Sequence, residues 1–231
     1  MLSATLCMAS AVHASLIDLA GLHSAHLSQI SPVSHNPSDV PQNDWSAIMS
    51  INPNVKGWLT VEGTHIDSPV VQAPGRDQES WYLTHDIFDQ PNPLGCPYLG
   101  TRSRANGRRM LVFGHHLQDS TLMFSELSDA YEQDAFDAVG DASWALPSGR
   151  IRTYRPLAAL RCDASYQAIQ EQGTISVAGL RSWIRTIVSN ATARSHDAET
   201  LMAKATHILT LVTCSSEQAG LPWRTLVIFA S

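Results

Sequence analysis

Two short apolar runs near the C-terminus limit what this chain can become. Residues 207–214 read His-Ile-Leu-Thr-Leu-Val-Thr-Cys, and residues 225–229 read Thr-Leu-Val-Ile-Phe. Both are apolar or β-branched and shorter than an ordinary helix, so they read as strands. Residues 215–222 between them are small, polar and contain Gly and Pro, which reads as a loop. Cys214 then closes one strand and Arg224 opens the next, so a thiol and a guanidinium can face one cavity. A cysteine nucleophile also needs a proton partner. The unbroken apolar run over 110–113 reads as a buried strand that stops at Gly114 and presents His115 and His116.

The rest of the composition narrows the classes. A chain of 231 residues suits one domain with a sizeable core and room for an N-terminal appendage. With 44% hydrophobic and 16% charged residues it is an ordinary globular sequence. A net charge of −6 argues against a nucleic-acid partner. The one basic cluster, Arg102, Arg104, Arg108 and Arg109, reads as a solvated hairpin. Four cysteines without CxxC spacing or Cys/His pairing indicate no metal site, and no cofactor is called for. They are too sparse for a disulfide framework. Cys96 and Cys162 read as buried small hydrophobes, while Cys214 has to stay free if it is the nucleophile.

The chain divides at about residue 43, into an N-terminal segment over 1–43 and a catalytic domain over 44–231. The apolar stretch over 2–12 ends in Val-His-Ala, like the small-residue end of a signal peptide, yet no basic residue precedes it. Eleven residues also fall short of a bilayer core of roughly 30 Å. An anchor remnant, a clipped start and a packed helix over 16–30 all stay open. The three prolines within 31–43 mark a linker or loop.

Within the domain, Asp44 is placed to cap a helix over 45–51. Strands are expected over 57–61 and 66–72 around a Glu62-Gly63 turn, and a short helix or turn over 81–83. A Pro-rich loop over 89–97 leads to a strand over 98–99. Asp119 or Ser120 can cap a helix carrying Phe124 and Leu127, followed by a turn or helix with Tyr131 and Phe136. A strand over 151–160 has to place Pro156 at an edge or a bulge. The clearest helix covers 179–193, with Leu180, Trp183, Ile184, Ile187, Val188 and Ala191 on one face. Many short strands with a few helices suggest a closed or nearly closed barrel, though periodicity alone supports no more than an α+β domain.

The residues around the three polar side chains resemble the sortases, cysteine transpeptidases of Gram-positive cell surfaces. Thr-Leu-Val-Thr-Cys over 210–214 fits the TLxTC signature, Arg224 stands where the family has its arginine, and Gly114-His115 where it has its histidine. Residues 52–58 (Asn-Pro-Asn-Val-Lys-Gly-Trp), 63–72, 82–86 and 114–124 are similar to class B sortases in particular. The resemblance runs from about Asp44 to the C-terminus. It implies a mainly β fold with helices: an eight-stranded barrel with N-terminal helices and a long helix before the cysteine strand.

The resemblance also implies a chemistry. Cys214 attacks a peptide carbonyl, His115 moves the proton, and Arg224 holds the oxyanion or the substrate backbone. Thr213, Ser215 and Glu217 are candidate substrate contacts. The implied partners are a sorting-signal peptide of the Asn-Pro-x-Thr type and an amine acceptor on peptidoglycan precursor or pilin. The implied place is the outer face of a Gram-positive membrane, reached by an N-terminal anchor. A papain-like cysteine hydrolase is disfavoured because its cysteine opens a helix, and Cys214 follows a strand. A non-catalytic surface module on the same fold is the other rival, set against the intact Cys, His and Arg.

Overall fold

Asp44 caps the first helix as expected, its Oδ1 accepting from the Ala47 N–H at 3.0 Å at the start of α1 (Trp45–Ile51). The structure is a computed structural model that describes residues 44–75, 78, 80–170, 173–215 and 220–231. The apolar stretch over 2–12, the helix considered over 16–30 and the linker over 31–43 lie outside the described residues, as does Glu217.

Among the described residues nine strands follow: β1 (Val55–Val61), β2 (Asp67–Val71), β3 (Tyr98–Leu99), β4 (Arg109–Phe113), β5 (Ala142–Ala145), β6 (Ile151–Asp163), β7 (Ala193–Arg194), β8 (Ile208–Cys214) and β9 (Trp223–Ala230). Their order is β5-β1-β2-β3-β4-β8-β9-β6-β7, and β5 also pairs with β6. That last pairing closes eight strands into a barrel, with the two-residue β7 added outside β6. Closure removes the exposed edges that a sheet of such apolar strands would otherwise present.

Two apolar layers divide the side chains by the alternation of the strands. Leu59, Val70, Leu99, Val112, Ala142, Ala159, Leu211 and Val227 belong to one cluster drawn from the whole ring of strands, which fills the barrel. The alternate residues, among them Leu111, Phe113, Val212, Leu226 and Ile228, form an outer layer. Helix α4 (Val177–Ser189) covers that layer with Leu180, Ile184, Ile187 and Val188. Phe124 and Phe136 pack with the inner cluster.

Several local expectations shift. The helix expected over 179–193 starts earlier, because the Ser176 hydroxyl accepts from the Gly179 N–H at 3.1 Å, and it stops at Ser189. Ala193 instead lies in β7, paired with Ala159. No helix grows from Asp119 or Ser120; only a 3₁₀ turn, Ser125–Leu127, forms there. Ser120 accepts from the Leu122 N–H, and Ser125 bonds the Leu122 carbonyl and the Leu117 N–H. Such local side-chain bonds compete with a helical ladder. Phe136 does sit on a short helix, α2 (Gln133–Asp137), and one more short helix, α3 (Gln167–Gln170), precedes α4. Pro156 lies at a bulge, where the β6–β9 register slips between Pro156 and Ala158.

The basic cluster is not a uniformly solvated hairpin. Arg102, Arg104 and Arg108 are exposed, but Arg109 is the first residue of β4 and only 6% exposed, its guanidinium 5.4 Å from the centroid of a Trp183 ring. An aromatic face and the outer apolar layer retain a cation that the sequence assigns to solvent.

Candidate active site

Register brings the three sequence candidates to one end of the barrel. Strands β8 and β9 are antiparallel, and Cys214 pairs directly with Arg224. Opposed residues of such a pair point to the same face, so thiol and guanidinium leave the sheet together. Strand β4 runs parallel to β8 with Phe113 opposite Val212, and the Gly114 N–H extends the ladder to the Val212 carbonyl at 3.1 Å. His115 and Cys214 each lie two residues beyond that pair, on neighbouring strands. Cys214 belongs to the outer apolar layer with Val212.

Gly114 has a packing reason to be glycine. A Cβ there would stand 2.6–3.0 Å from ring atoms of Phe124. The Phe124 N–H in turn donates to the His115 carbonyl at 3.0 Å, so the aromatic ring and the histidine backbone are fitted as one unit.

All three side chains are buried: His115 is 3% exposed, Arg224 2% and Cys214 0%. The His115 Nε2 lies 2.8 Å from the carbonyl oxygen of Leu83, which is the last residue of a 3₁₀ turn (Trp81–Leu83). Arg224 Nη1 donates to the carbonyls of Trp223 at 2.9 Å and Leu221 at 3.1 Å. Among the described residues no carboxylate forms an ion pair with it. Burial pulls its pKa down from the ordinary value, while Tyr98, Cys162 and Asp163 act in the opposite sense; the guanidinium stays cationic.

The other cysteines are separate from this corner in chemistry. Cys96 and Cys162 are free and buried, and burial raises both thiols, Cys162 to about 12, so neither supplies a thiolate near neutrality.

The weaker candidates separate. Thr213 precedes Cys214 in an extended strand and faces the opposite side of the sheet; its hydroxyl is buried and makes no hydrogen bond. Ser215 follows directly, with its N–H donating to the Trp223 carbonyl at 3.3 Å and its hydroxyl buried without a partner. His116 is half-buried beside His115. His65 pairs with Glu126 at 3.0 Å, His85 stacks on Trp81, and His207 lies beside Thr206. Sequence reasoning missed Leu221 and Trp223, whose carbonyls hold Arg224. Backbone acceptors leave no residue-type signal.

No protein-family model matches the chain. Individual proteins do match in part: the sortase B of Listeria monocytogenes is 26% identical over 89 residues, 38% of this chain. The sortase B of Staphylococcus aureus is also 26% identical, over 95 residues, or 40% of this chain. The matched stretches span 35% and 37% of the length of these relatives. Among solved structures, sortase B of Clostridium perfringens superposes with a TM-score of 0.68 at 22% identity, covering 80% of this chain and 97% of that one. A sortase B–substrate complex from S. aureus superposes with a TM-score of 0.67 at 18% identity, covering 94% of each chain. The chain has the sortase fold and is similar to class B sortases.

Proposed function

We propose that this chain is a cysteine transpeptidase of the sortase type, with Cys214 as nucleophile, His115 as proton carrier and Arg224 as the electrostatic clamp. The single observation that supports it most is the Cys214–Arg224 pairing beside the end of β4. A buried cation that pairs with no carboxylate among the described residues then stands directly opposite Cys214 on the neighbouring strand. In this reading residues 44–231 are the catalytic domain, and residues 1–43 link it to the outer face of a Gram-positive membrane. Among the described residues no helix is long and apolar enough to cross a membrane.

The reaction follows from these groups. The reduced Cys214 thiolate adds to the carbonyl carbon of a sorting-signal peptide, and the new oxyanion takes hydrogen bonds from the Arg224 guanidinium. The intermediate collapses by breaking the C–N bond, and imidazolium His115 protonates the departing amine, leaving a Cys214 thioester. An amine of peptidoglycan precursor or pilin then adds to the thioester and yields its proton to His115. Expulsion of the thiolate completes a new amide. By resemblance to class B members the peptide is of the Asn-Pro-x-Thr type. Ser215, with its buried unsatisfied hydroxyl, is a candidate contact for it; Glu217 lies in the same loop, and Thr213 acts at most through the backbone.

The test is a fluorogenic Asn-Pro-x-Thr peptide with triglycine as acceptor, incubated with protein reduced beforehand. Mass spectrometry should find an acyl adduct on Cys214 and a ligated product. His115→Ala should lose roughly 10²–10⁴ in kcat, the range of general acid–base catalysis, and His116→Ala far less. The reverse order of damage would move the proton to His116, and an adduct on Cys96 or Cys162 would end the assignment.

A further inference from the structure

We infer that the Leu83 backbone carbonyl is the orienting partner of His115 and that Gly95 is the positioning residue that lets it stand there. This rests on reading His115 as the proton carrier. A carbonyl oxygen only accepts, so the 2.8 Å contact to Nε2 requires that nitrogen to carry hydrogen. Neutral His115 is then the Nε2–H tautomer, and the proton it exchanges with substrate and nucleophile is the one on Nδ1. In serine-type triads a carboxylate sets ring orientation and tautomer. Here a backbone dipole takes that part, without adding a buried negative charge beside Arg224.

The carbonyl is held by its neighbours in the chain. On either side of it, the Tyr82 carbonyl accepts from the Cys96 N–H at 2.9 Å and the Thr84 carbonyl from the Asn92 N–H at 2.8 Å. The Tyr82 ring is buried, and its hydroxyl accepts from Asn52 and Asn54 at 3.0 and 3.2 Å. Asn92, 6% exposed, accepts from the Leu94 N–H at 3.0 Å and donates to Asp86 at 3.4 Å, which carries the return strand of the loop into Gly95. Gly95 adopts φ +64° and passes directly against the turn. A Cβ there would lie 2.3 Å from the Tyr82 carbonyl oxygen and 2.9 Å from that of Leu83. A methyl group at this position must push the Leu83 carbonyl off its line to His115, in a backbone conformation that already disfavours it.

Long-range proton–nitrogen NMR of the reduced wild-type protein reads the His115 tautomer directly. An Nε2–H tautomer is expected; an Nδ1–H tautomer overturns the inference whatever any variant does. In Gly95→Ala the single-tautomer signature should blur, with kcat down by roughly 10–100-fold, as expected for a misplaced group, and KM nearly unchanged. An unchanged tautomer and unchanged kcat overturn the role of Gly95. Should Gly95→Ala fail to fold, Asn92→Ala should shift both readouts in the same direction by a smaller amount, and no shift in either refutes the positioning role. If His115→Ala keeps full transfer, the catalytic reading of His115 falls. The spectrum still reports whether Leu83 and Gly95 set its tautomer.

Discussion

Among the described residues two arginines are almost wholly buried on this barrel, and they lie beside opposite ends of strand β8. Arg109 pairs in register with Ile208 at the start of β8, and Arg224 pairs with Cys214 at its end. Arg109 lies over the Trp183 ring of α4, beside a cavity of about 770 Å³ that Arg102, Tyr166, Trp183 and Asn190 also line. None of the three proposed catalytic residues lines that cavity. Arg224 instead is held by two carbonyls of its own loop, next to a cysteine and a histidine-bearing strand end. At Arg109 the cation is laid against an aromatic face of the outer layer. One fixed by carbonyls, with no carboxylate ion pair among the described residues, keeps its charge directed at whatever enters.

The sharpest way to break this contrast is to show that the Arg224 end is inert. With reduced protein, Cys214→Ala should abolish the acyl adduct and peptide transfer while the melting temperature holds. Wild-type turnover in Cys214→Ala would leave the buried cation with no reaction to serve. Lysine substitution is next in size, because lysine keeps the charge and loses the planar fork. Arg224→Lys should cost roughly 10²–10³ in transfer rate, the scale of one lost oxyanion donor, with iodoacetamide labelling of Cys214 near wild type. Full transfer in that variant would mean that charge alone suffices. Arg109→Lys should leave transfer intact and lower the melting temperature. A large activity loss there, without destabilisation, would erase the distinction between the two sites.

Smaller effects test the packing side. Trp183 is half-buried, and removing it should cost about 1.5–3 kcal/mol, which is several degrees in melting temperature for a domain of this size. If Trp183→Ala and Arg109→Ala destabilise additively in a double-mutant cycle, the two side chains do not support each other. Least of all should be a pH effect at the Arg109 end. His207 is half-buried near Arg152, Arg108 and Arg150, and burial first, then those cations, lower its pKa to about 4. The unfolded chain binds that proton near pH 6.5, so the folded state loses stability as pH falls from about 6.5 to 4. His207→Gln should flatten the melting temperature across that window, and an unaltered slope would contradict the shift.

The elements that carry the site were legible because they repeat a simple pattern. Apolar and β-branched runs over 110–113, 207–214 and 225–229 have no other stable disposition than buried strands, and Cys214 and Arg224 mark their ends. The helix face of Leu180, Ile184, Ile187 and Val188 was equally readable from its spacing. Strand β5, four residues long, was not, since Ala-Ser-Trp-Ala offers too little periodicity to separate from a loop. The helix expected after Asp119 failed because Ser120 and Ser125 spend their hydroxyls on nearby backbone groups.

By itself the sequence determined which side chains are candidates for the proposed chemistry, and that their strands are buried. A thiol, an imidazole and a guanidinium at the ends of apolar runs are properties of residue type and spacing, both written in the chain. Only the tertiary structure decided how they meet. The parallel β4–β8 and antiparallel β8–β9 registers place His115 and Arg224 on either side of Cys214. The partners that hold them, the carbonyls of Leu83, Leu221 and Trp223, belong to every residue alike. Backbone acceptors carry no signature in a sequence, so their aim exists only once the loops are closed. Arg109 shows the same from the other end: its charge was plain from the sequence, and only the packing of α4 over β4 made it a buried residue.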